Sequence, residues 1–397
     1  MTKEELRNYI LSSQCKRNIL LELPTGYGKS KFALDVLKFR IPVITNEHKI
    51  LIVIPRLVLI DNWKKEFRKW KCSKYLKQVQ FITYVSLIKL HQLDYDFIIY
   101  DECHHLSERC LDYLLKVEKR QCTNILLSAT VKRELRDRFK YLFNPLELLR
   151  VSVKEASKEG ILPEPQVYLL SLQLDNTEIR CKIIKNPKQG HEITISYKDR
   201  FKYASNKGQR IIIPCTEYQY YQDTSSYIGW LKDRADNPIF KNLFLRKSGD
   251  RLKWLSYTKY NYIQKILSTL KDERTLTFCC DITQTQLYGT NCVNSENPYA
   301  HIVLQKFNDG KINHITACNM LDEGVNLTNC RIGIYASLNS SDRMIIQKLG
   351  RLLRHPNPII IIPYYVGTRD EEIVKKMCLN YNEKLIKTIT DINQIEL

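Results

Sequence analysis

The chain has 397 residues, of which 44% are apolar, so it can bury a sizeable core and form two domains of common size. Its 62 lysines and arginines against 43 aspartates and glutamates give a net charge of +19, which favours an anionic partner, with nucleic acid ahead of an anionic membrane. The longest apolar runs, at 50–55 and 359–363, are too short to span a bilayer, and the charged start lacks the apolar core of a secretory signal.

The thirteen cysteines are scattered along the chain, and no pair has the C-x-x-C spacing of a zinc or redox site. Cys103, His104, His105 and Cys110 lie close together, but their spacing favours a catalytic motif over a zinc cluster. We therefore expect a cytoplasmic protein with reduced thiols and no structural metal.

A loop at 24–30, with the sequence Pro-Thr-Gly-Tyr-Gly-Lys-Ser, separates a strand-like run at 19–21 from a helical pattern. Its backbone N–H groups and the helix dipole would face phosphate. Lys29 would reach the β- and γ-phosphates, and Ser30 would bind the metal. Leu23 stands where the full G-x-x-x-x-G-K-[ST] pattern has glycine, a position that helicase-type loops often relax.

Two carboxylates, Asp101 and Glu102, follow a strand-like apolar run at 97–100, downstream of this loop. Beside a phosphate loop, one such carboxylate holds Mg²⁺ and its neighbour orients the attacking water. Asp101 is therefore the predicted Mg²⁺ ligand, together with Ser30, and Glu102 is the predicted base. The combination indicates an ATP-hydrolysing site that uses ATP and Mg²⁺.

Short apolar strands alternate with amphipathic helices from residue 19 to about 150, and the alternation resumes near 260. The pattern predicts two α/β domains, at 1–150 and 151–397, each with a parallel sheet covered by helices. An insertion at about 175–255 would lie in or before the second sheet. The predicted strands are 19–21, 50–54, 79–82, 97–100, 125–127, 275–280, 314–318, 332–336 and 359–363.

The insertion is rich in cations and rings, because residues 181–260 hold 16 lysines and arginines, 7 acidic residues and 13 of the chain's 40 aromatic residues. Strand-like runs at 179–185 and 192–197 flank a turn-like stretch at 186–190, which predicts a β-hairpin. Interleaved cations and aromatics suit phosphate tracking and base stacking. They equally suit a tyrosine-rich small core with a solvated basic rim, so both interpretations stay open.

Two further segments belong with the nucleotide site. Residues 128–130, Ser-Ala-Thr, follow a predicted strand and offer hydroxyls that could couple the site to domain movement. At 347–354, Arg351 and Arg354 stand three residues apart, on one face of a predicted helix. Guanidinium groups presented to a γ-phosphate from a second domain would supply charge to the transition state only when the domains close.

Taken in order, these motifs resemble those of a superfamily 2 helicase of the DEAH/DExH type, in the group that includes phage and restriction-system translocases. The matching segments are 24–30 (motif I), 53–63 (motif Ia), 83–86 (a nucleic-acid contact motif), 101–104 (motif II, here Asp-Glu-Cys-His), 128–130 (motif III), 276–281 (motif IV), 321–327 (motif V) and 347–354 (motif VI). The resemblance covers nearly the whole chain. It implies two RecA-like domains with ATP and Mg²⁺ in the cleft between them.

The resemblance also implies a role for each matching residue. The residues implied to bind ATP are Thr25, Gly26, Gly28, Lys29, Ser30, Asp101 and Gly324, of which Ser30 and Asp101 would hold Mg²⁺. The residues implied in catalysis are Glu102 as base, His104 as the link to motif VI, and Gln347, Arg351 and Arg354 across the cleft. The residues implied to contact nucleic acid are Arg56, Thr83, Tyr84 and Asn326.

The implied activity is ATP-dependent translocation along nucleic acid or its unwinding, on DNA in preference to RNA and with 3′ to 5′ polarity. Two alternatives stay open: a motor subunit of a larger complex with little unwinding of its own, and an RNA helicase. A binding module without catalysis is disfavoured, because the chemical residues are intact. The expected setting is a monomer in a bacterial or phage-infected cell, with nucleic acid and proteins of replication, repair or recombination as partners.

Overall fold

The computed structural model describes residues 2–118, 121–185, 193–194, 202–203, 211–318, 327, 330–338 and 355–397. The chain forms two large parallel β-sheets flanked by helices, which confirms the predicted α/β class. In the described ranges, no helix is both long enough and apolar enough to cross a membrane.

The first sheet contains six strands. They are β1 (Asn18–Glu22), β2 (Ile50–Ile54), β3 (Val79–Thr83), β4 (Phe97–Tyr100), β5 (Thr123–Ser128) and β6 (Leu146–Arg150). The helices of this half are α1 (Lys3–Ile10), α2 (Lys29–Arg40), α3 (Leu59–Lys69), α4 (Tyr84–Leu87), α5 (Glu108–Lys116), α6 (Arg133–Leu142) and α7 (Val153–Lys158). Strands β2 and β4 are buried at every residue, as expected for a parallel sheet covered on both faces.

The strand order in this sheet brings three predicted motifs together. The order is β3-β2-β4-β5-β1-β6, and every neighbouring pair is parallel. Because parallel strands point the same way, their carboxyl ends meet at one edge, where ligands of open α/β sheets bind. The phosphate loop follows β1, Asp101 follows β4, and Ala129 follows β5. These three segments therefore lie side by side.

The second half of the chain has the remaining elements. Its strands are β7 (Gln166–Leu172), β8 (Cys181–Lys185), β9 (Ile193–Thr194), β10 (Lys202–Tyr203), β11 (Ile211–Cys215), β12 (Thr275–Phe278), β13 (Cys292–Val293), β14 (His314–Ala317), β15 (Ile332–Tyr335), β16 (Ile359–Tyr365) and β17 (Ile386–Ile389). Its helices are α8 (Glu217–Lys232), α9 (Pro238–Thr258), α10 (Tyr260–Thr269), α11 (Ile282–Leu287), α12 (Ala300–Asn308) and α13 (Arg369–Cys378). Short 3₁₀ turns occur at Ser73–Gln78, Cys103–His105, Glu383–Leu385 and Ile392–Gln394.

The second sheet is also parallel, with the order β13-β14-β12-β15-β16-β7-β17. Strand β7 lies between β16 and β17, although it precedes the insertion in the chain. The insertion therefore starts after the first strand of the second sheet and returns to the same sheet at β12.

The strand pairing predicted inside the insertion is wrong. Strand β8 pairs antiparallel with β11, with Ile183 opposite Ile213, and the short strands β9 and β10 pair with each other. Alternating side chains indicate a strand but do not choose its partner; burial of one face does. Here Ile183, Ile213 and Cys215 form a small buried cluster, which selects β11. The predicted turn at 186–190 lies outside the described residues.

Helices α8 and α9 of the insertion form a helical hairpin that is attached to the second domain at its root. The Lys259 ammonium group, which is fully buried, lies 2.6 Å from the carboxylate of Asp370, which is 2% exposed. The backbone N–H of Arg369 donates to the Tyr221 hydroxyl at 2.7 Å. This ion pair and this hydrogen bond fix the hairpin to the start of α13.

Candidate active site

The phosphate loop adopts backbone angles that require glycine at two positions. Gly26 has a φ of +92° and Gly28 a φ of +106°, both in the left-handed region that side chains disfavour. A Cβ atom at Gly26 would also approach Leu162 to 3.1 Å. Tyr27 between them is fully buried, and its ring stacks on Phe32 with centroids 6.1 Å apart. The loop is thus anchored by one side chain and shaped by two glycines.

Lys29 and Ser30 open helix α2, directly after Gly28 at the N-cap. The Lys29 ammonium group donates to the Leu23 carbonyl at 3.1 Å, so the side chain folds back over the loop. Leu23, at the position where the full pattern has glycine, is fully buried, and its N–H donates to the Ser128 carbonyl at 3.0 Å. The substituted position therefore packs into the core and ties the loop to β5.

Asp101 is held by groups from three elements. Its backbone N–H donates to the Val53 carbonyl at 2.9 Å, and its carbonyl accepts from the Tyr84 hydroxyl at 2.6 Å. The indole N–H of Trp63, on α3, donates to the Asp101 Oδ2 at 2.9 Å. The sequence places Trp63 at the end of motif Ia but gives no sign of this contact. The hydrogen bonds fix both the backbone and the carboxylate of Asp101.

The electrostatics of this carboxylate pair suit a cation. Burial raises the pKa of Asp101 and the charge of Glu102 raises it further, whereas the Trp63 hydrogen bond and the Lys29 charge oppose the shift. A divalent cation would offset the remaining cost of two adjacent, partly buried charges. The carboxylate of Asp101 and the hydroxyl of Ser30 are the oxygen ligands that Mg²⁺ prefers. The residues present therefore fit Mg²⁺ beside a bound nucleotide phosphate.

Glu102 has a strained backbone, with a φ of +48° and a ψ of 55°. This conformation is uncommon outside glycine, and such outliers concentrate at functional sites. The His104 Nδ1 lies 3.4 Å from the Glu102 Oε2 and 3.0 Å from the Ser128 Oγ. The Ser128 hydroxyl donates its hydrogen to the Thr130 carbonyl at 2.9 Å. Its oxygen therefore accepts the hydrogen bond from His104, which assigns the N–H of the imidazole to Nδ1. His104 thereby connects the predicted base to motif III.

A further buried carboxylate, Glu22, ends β1 immediately before the loop and is 2% exposed. Its oxygens accept from Arg136 on α6 at 2.9 and 3.2 Å and from the Val131 N–H at 3.4 Å. The Arg150 guanidinium lies 3.7 Å away. Glu22 thus joins the phosphate loop strand to the segment after motif III. A charged residue within an apolar strand was its only signal in the sequence.

The predicted nucleic-acid residues of the first domain lie at or beside the same sheet edge. Arg56 is in the loop after β2 and is exposed. Thr83 ends β3 and caps α4, where its hydroxyl accepts from the Ser86 N–H at 3.3 Å. Tyr84 is only 5% exposed, and its hydroxyl is used on the Asp101 carbonyl. Tyr84 is therefore a buried support of motif II, and its ring does not face solvent.

The second domain contributes motif IV within the described residues. Asp281 caps α11 through the Gln284 N–H, accepts from the Tyr257 hydroxyl at 2.9 Å, and pairs with Lys253 at 2.6 Å. These contacts tie motif IV to helix α9 of the insertion. The predicted residues that lie outside the described ranges are Gly324, Asn326, Gln347, Arg351 and Arg354.

Comparison with known proteins gives two family matches in sequence order. A model described as "Type III restriction enzyme, res subunit" matches residues 2–133, and a model described as "Helicase conserved C-terminal domain" matches residues 258–356. The first match includes the phosphate loop and the carboxylate pair. The second includes the segments identified in sequence as motifs IV, V and VI.

A curated relative and two solved structures are similar over most of the chain. The DNA 3′-5′ translocase XPB2 of Sulfurisphaera tokodaii is 25% identical over 402 residues, covering 94% of this chain and 84% of the relative. The structure of S. cerevisiae Dbp5 bound to RNA and ADP BeF3 has a TM-score of 0.60 at 12% identity, covering 98% of this chain and 89% of that one. The Pyrococcus furiosus Hef helicase domain has a TM-score of 0.50 at 14% identity, covering 94% and 97%.

These structural matches show that both sheets have the RecA-like fold of helicases. The first family match spans strands β1 to β5 of the first sheet, and the second assigns residues 258–356 to a helicase C-terminal domain. The chain is therefore an ATP-hydrolysing enzyme of the helicase and translocase type, with matches in both halves to regions of superfamily 2 helicases.

Proposed function

We propose that this helicase moves 3′ to 5′ along one strand of DNA and belongs to the DEAH/DExH subgroup, with Asp101-Glu102-Cys103-His104 as its motif II. The observation that carries the proposal is the convergence of Lys29, Asp101 and Glu102 at one sheet edge, with His104 connecting to motif III. The net charge of +19 supports a phosphate backbone as substrate. The XPB2 relative is a DNA 3′-5′ translocase, which supports DNA as the substrate and 3′ to 5′ as the polarity.

In this proposal, each residue at the sheet edge has one task. The loop N–H groups from Thr25 to Gly28, together with Lys29, bind the phosphates, and Ser30 and Asp101 hold Mg²⁺, which neutralises phosphate charge when bound. Glu102 orients the attacking water and accepts its proton. His104 transmits the state of Glu102 to Ser128 across their shared contacts. From the second domain, Gln347, Arg351, Arg354 and the backbone at Gly324 complete the site.

Movement follows from domain closure on ATP and reopening after hydrolysis. We propose residues 1–150 and 151–397 as the two moving units. Arg56, Thr83 and Asn326 would contact strand phosphates, while the buried Tyr84 would act indirectly, through the Asp101 carbonyl. Phosphate contacts should make binding largely independent of sequence. The enzyme would work as a monomer in the cytoplasm of a bacterial or phage-infected cell.

ATP hydrolysis should be stimulated by nucleic acid, and the stimulation should weaken steeply as salt rises, because phosphate contacts release counterions. The measurement compares steady-state ATPase rates with single-stranded DNA, duplex DNA, forked DNA and RNA at low and high salt. We expect single-stranded or forked DNA to stimulate most. If RNA stimulates ATP hydrolysis most, RNA and not DNA is the substrate. Absence of stimulation by all four at low salt would contradict the proposed function.

The Trp63 hydrogen bond should matter for metal binding, because groups that orient a metal ligand typically change affinity or activity about 10- to 100-fold when removed. Trp63→Phe removes the N–H that fixes the Asp101 carboxylate at 2.9 Å but keeps an aromatic ring. We expect a higher Mg²⁺ concentration for half-maximal ATPase and a rate at least several-fold lower. Trp70→Phe is the matched control, since Trp70 donates to Glu66 on the same helix. Equal effects of the two variants would refute the role of Trp63.

A further inference from the structure

The far end of the α8–α9 helical hairpin carries an exposed aromatic cluster, here called the hairpin tip and defined as residues 227–241. Trp230 is 43% exposed, Tyr227 38% and Ile239 75%. At the root of the same hairpin, Tyr221 and Leu255 are buried. Large apolar side chains gathered at an exposed end mark an interaction surface, because leaving them in water has a free-energy cost.

The rings of the hairpin tip are held in a defined arrangement. Tyr227 and Trp230 have nearly parallel planes, 12° apart, with centroids separated by 6.0 Å, and Phe240 meets Trp230 edge-on at 5.6 Å. The Arg234 guanidinium lies 4.2 Å from the Trp230 ring centroid, and its Nη1 donates to the Trp230 carbonyl at 3.0 Å. A partner would therefore meet ring faces and a guanidinium plane that are already oriented.

The charges around the rings specify the chemistry of the partner. The hairpin tip has three cations, Lys232, Arg234 and Lys241, and two carboxylates, and α9 continues after it with Arg246 and Lys247. A partner with flat apolar faces next to regularly spaced negative charges would match both features. Single-stranded nucleic acid has this chemistry, because bases stack on aromatic rings while phosphates contact cations.

The hairpin can hold its tip in place because its root is tightly attached. Tyr220 packs against Trp254 with ring centroids 4.8 Å apart. Lys185 pairs with Asp223 through contacts of 2.6 and 2.8 Å. The first contact joins the two helices of the hairpin and the second joins α8 to β8, while the buried Lys259–Asp370 pair described above fixes the hairpin to the second domain as an arm.

We propose that the hairpin tip is a base-stacking platform for single-stranded nucleic acid. A base stacks on the surface formed by Trp230 and Tyr227, and Lys232 and Lys241 contact the flanking phosphates. This inference rests on the proposed function and adds a contact outside the two sheets. Because the arm is fixed to the second domain, the stacked base would move relative to the first domain during each cycle of closure.

The test measures binding without ATP, so that it is independent of catalysis. The probes are fluorescein-labelled oligothymidylate and oligouridylate of about 20 nucleotides, longer than typical single-strand sites. For the double variant Tyr227→Ala/Trp230→Ala we expect binding about tenfold to a hundredfold weaker, because stacking on each ring is lost. Trp230→Phe should bind within about threefold of the wild type, since it keeps a ring. The DNA and RNA probes distinguish the sugar.

The matched control is Tyr218→Ala, which removes an exposed aromatic from the same helix outside the hairpin tip. This control should bind as the wild type does, and all variants should keep the wild-type circular dichroism and basal ATPase. Lys232→Gln/Lys241→Gln should reduce the salt dependence of binding, whereas the ring variants should leave it unchanged. Binding by the double ring variant within twofold of the wild type, or an equal loss with Tyr218→Ala, would overturn the proposal. If the double ring variant loses binding but nucleic acid does not stimulate the ATPase of the wild type, the result would support the platform and contradict the motor function.

Discussion

Glu102→Gln is expected to lower the rate of ATP hydrolysis by about 10²- to 10⁴-fold, the usual contribution of a general base. The amide keeps the size of the side chain but cannot accept the proton of the attacking water. ATP binding should be preserved, because Lys29 and the loop N–H groups remain. The measurement pairs steady-state kcat with equilibrium binding of a fluorescent ATP analogue.

Glu108→Gln is the matched control for that experiment. Glu108 is exposed in the first turn of α5, where it pairs with Arg138, and it lies six residues from Glu102. The control should keep near-normal turnover. If Glu102→Gln hydrolyses ATP as the wild type does, another group is the base. If it fails to bind ATP, its effect is structural.

Lys259→Met is expected to destabilise the second domain by about 3–5 kcal/mol, because it leaves the Asp370 carboxylate buried without its partner. The pair is 2.6 Å apart and almost fully buried. Asp370 also accepts a hydrogen bond from the N–H of Tyr365, the last residue of β16, at 3.4 Å. Loss of the Lys259 charge should therefore also disturb the end of this strand. Urea denaturation of the full chain, followed by circular dichroism, measures the change in unfolding free energy.

Two further variants distinguish the effect of breaking a buried charge pair from the effect of losing a lysine. Lys375→Met removes a lysine from α13, the helix that carries Asp370; Lys375 pairs with Glu371 but is 72% exposed, so the change should cost less than about 1 kcal/mol. Lys259→Met/Asp370→Asn removes both charges and should recover part of the stability. A double variant no more stable than Lys259→Met would mean that the charge pairing is not the cause.

The sequence predicted the sheets well where strands are buried and covered by helices. Strands β2 and β4 were placed at their exact residues, and β1, β3 and β5 to within two. Strand β6 was missed because only one of its five residues is buried, which weakens the apolar signal. Inside the insertion, local alternation could not specify that β8 pairs with a strand that starts 26 residues after β8 ends.

The candidate site divides in the same way between local and tertiary information. The phosphate loop, Asp101 and Glu102 could be identified from short segments, because their backbone geometry depends on neighbours in the chain. Trp63 and Glu22 could not, because their contacts join elements that are distant in sequence. The burial of Tyr84 was equally hidden, since an aromatic after a strand looks the same whether its ring faces solvent or the core.

The Trp63–Asp101 hydrogen bond gives this enzyme an intrinsic tryptophan fluorescence signal for metal binding. Indole emission responds to a nearby charge, and the Trp63 nitrogen is 2.9 Å from the carboxylate predicted to hold the metal. The chain has four tryptophans, with Trp63 and Trp70 in the first domain and Trp230 and Trp254 in the insertion. Variants that keep only Trp63 or only Trp230 would therefore follow metal loading and strand engagement separately, without an attached dye.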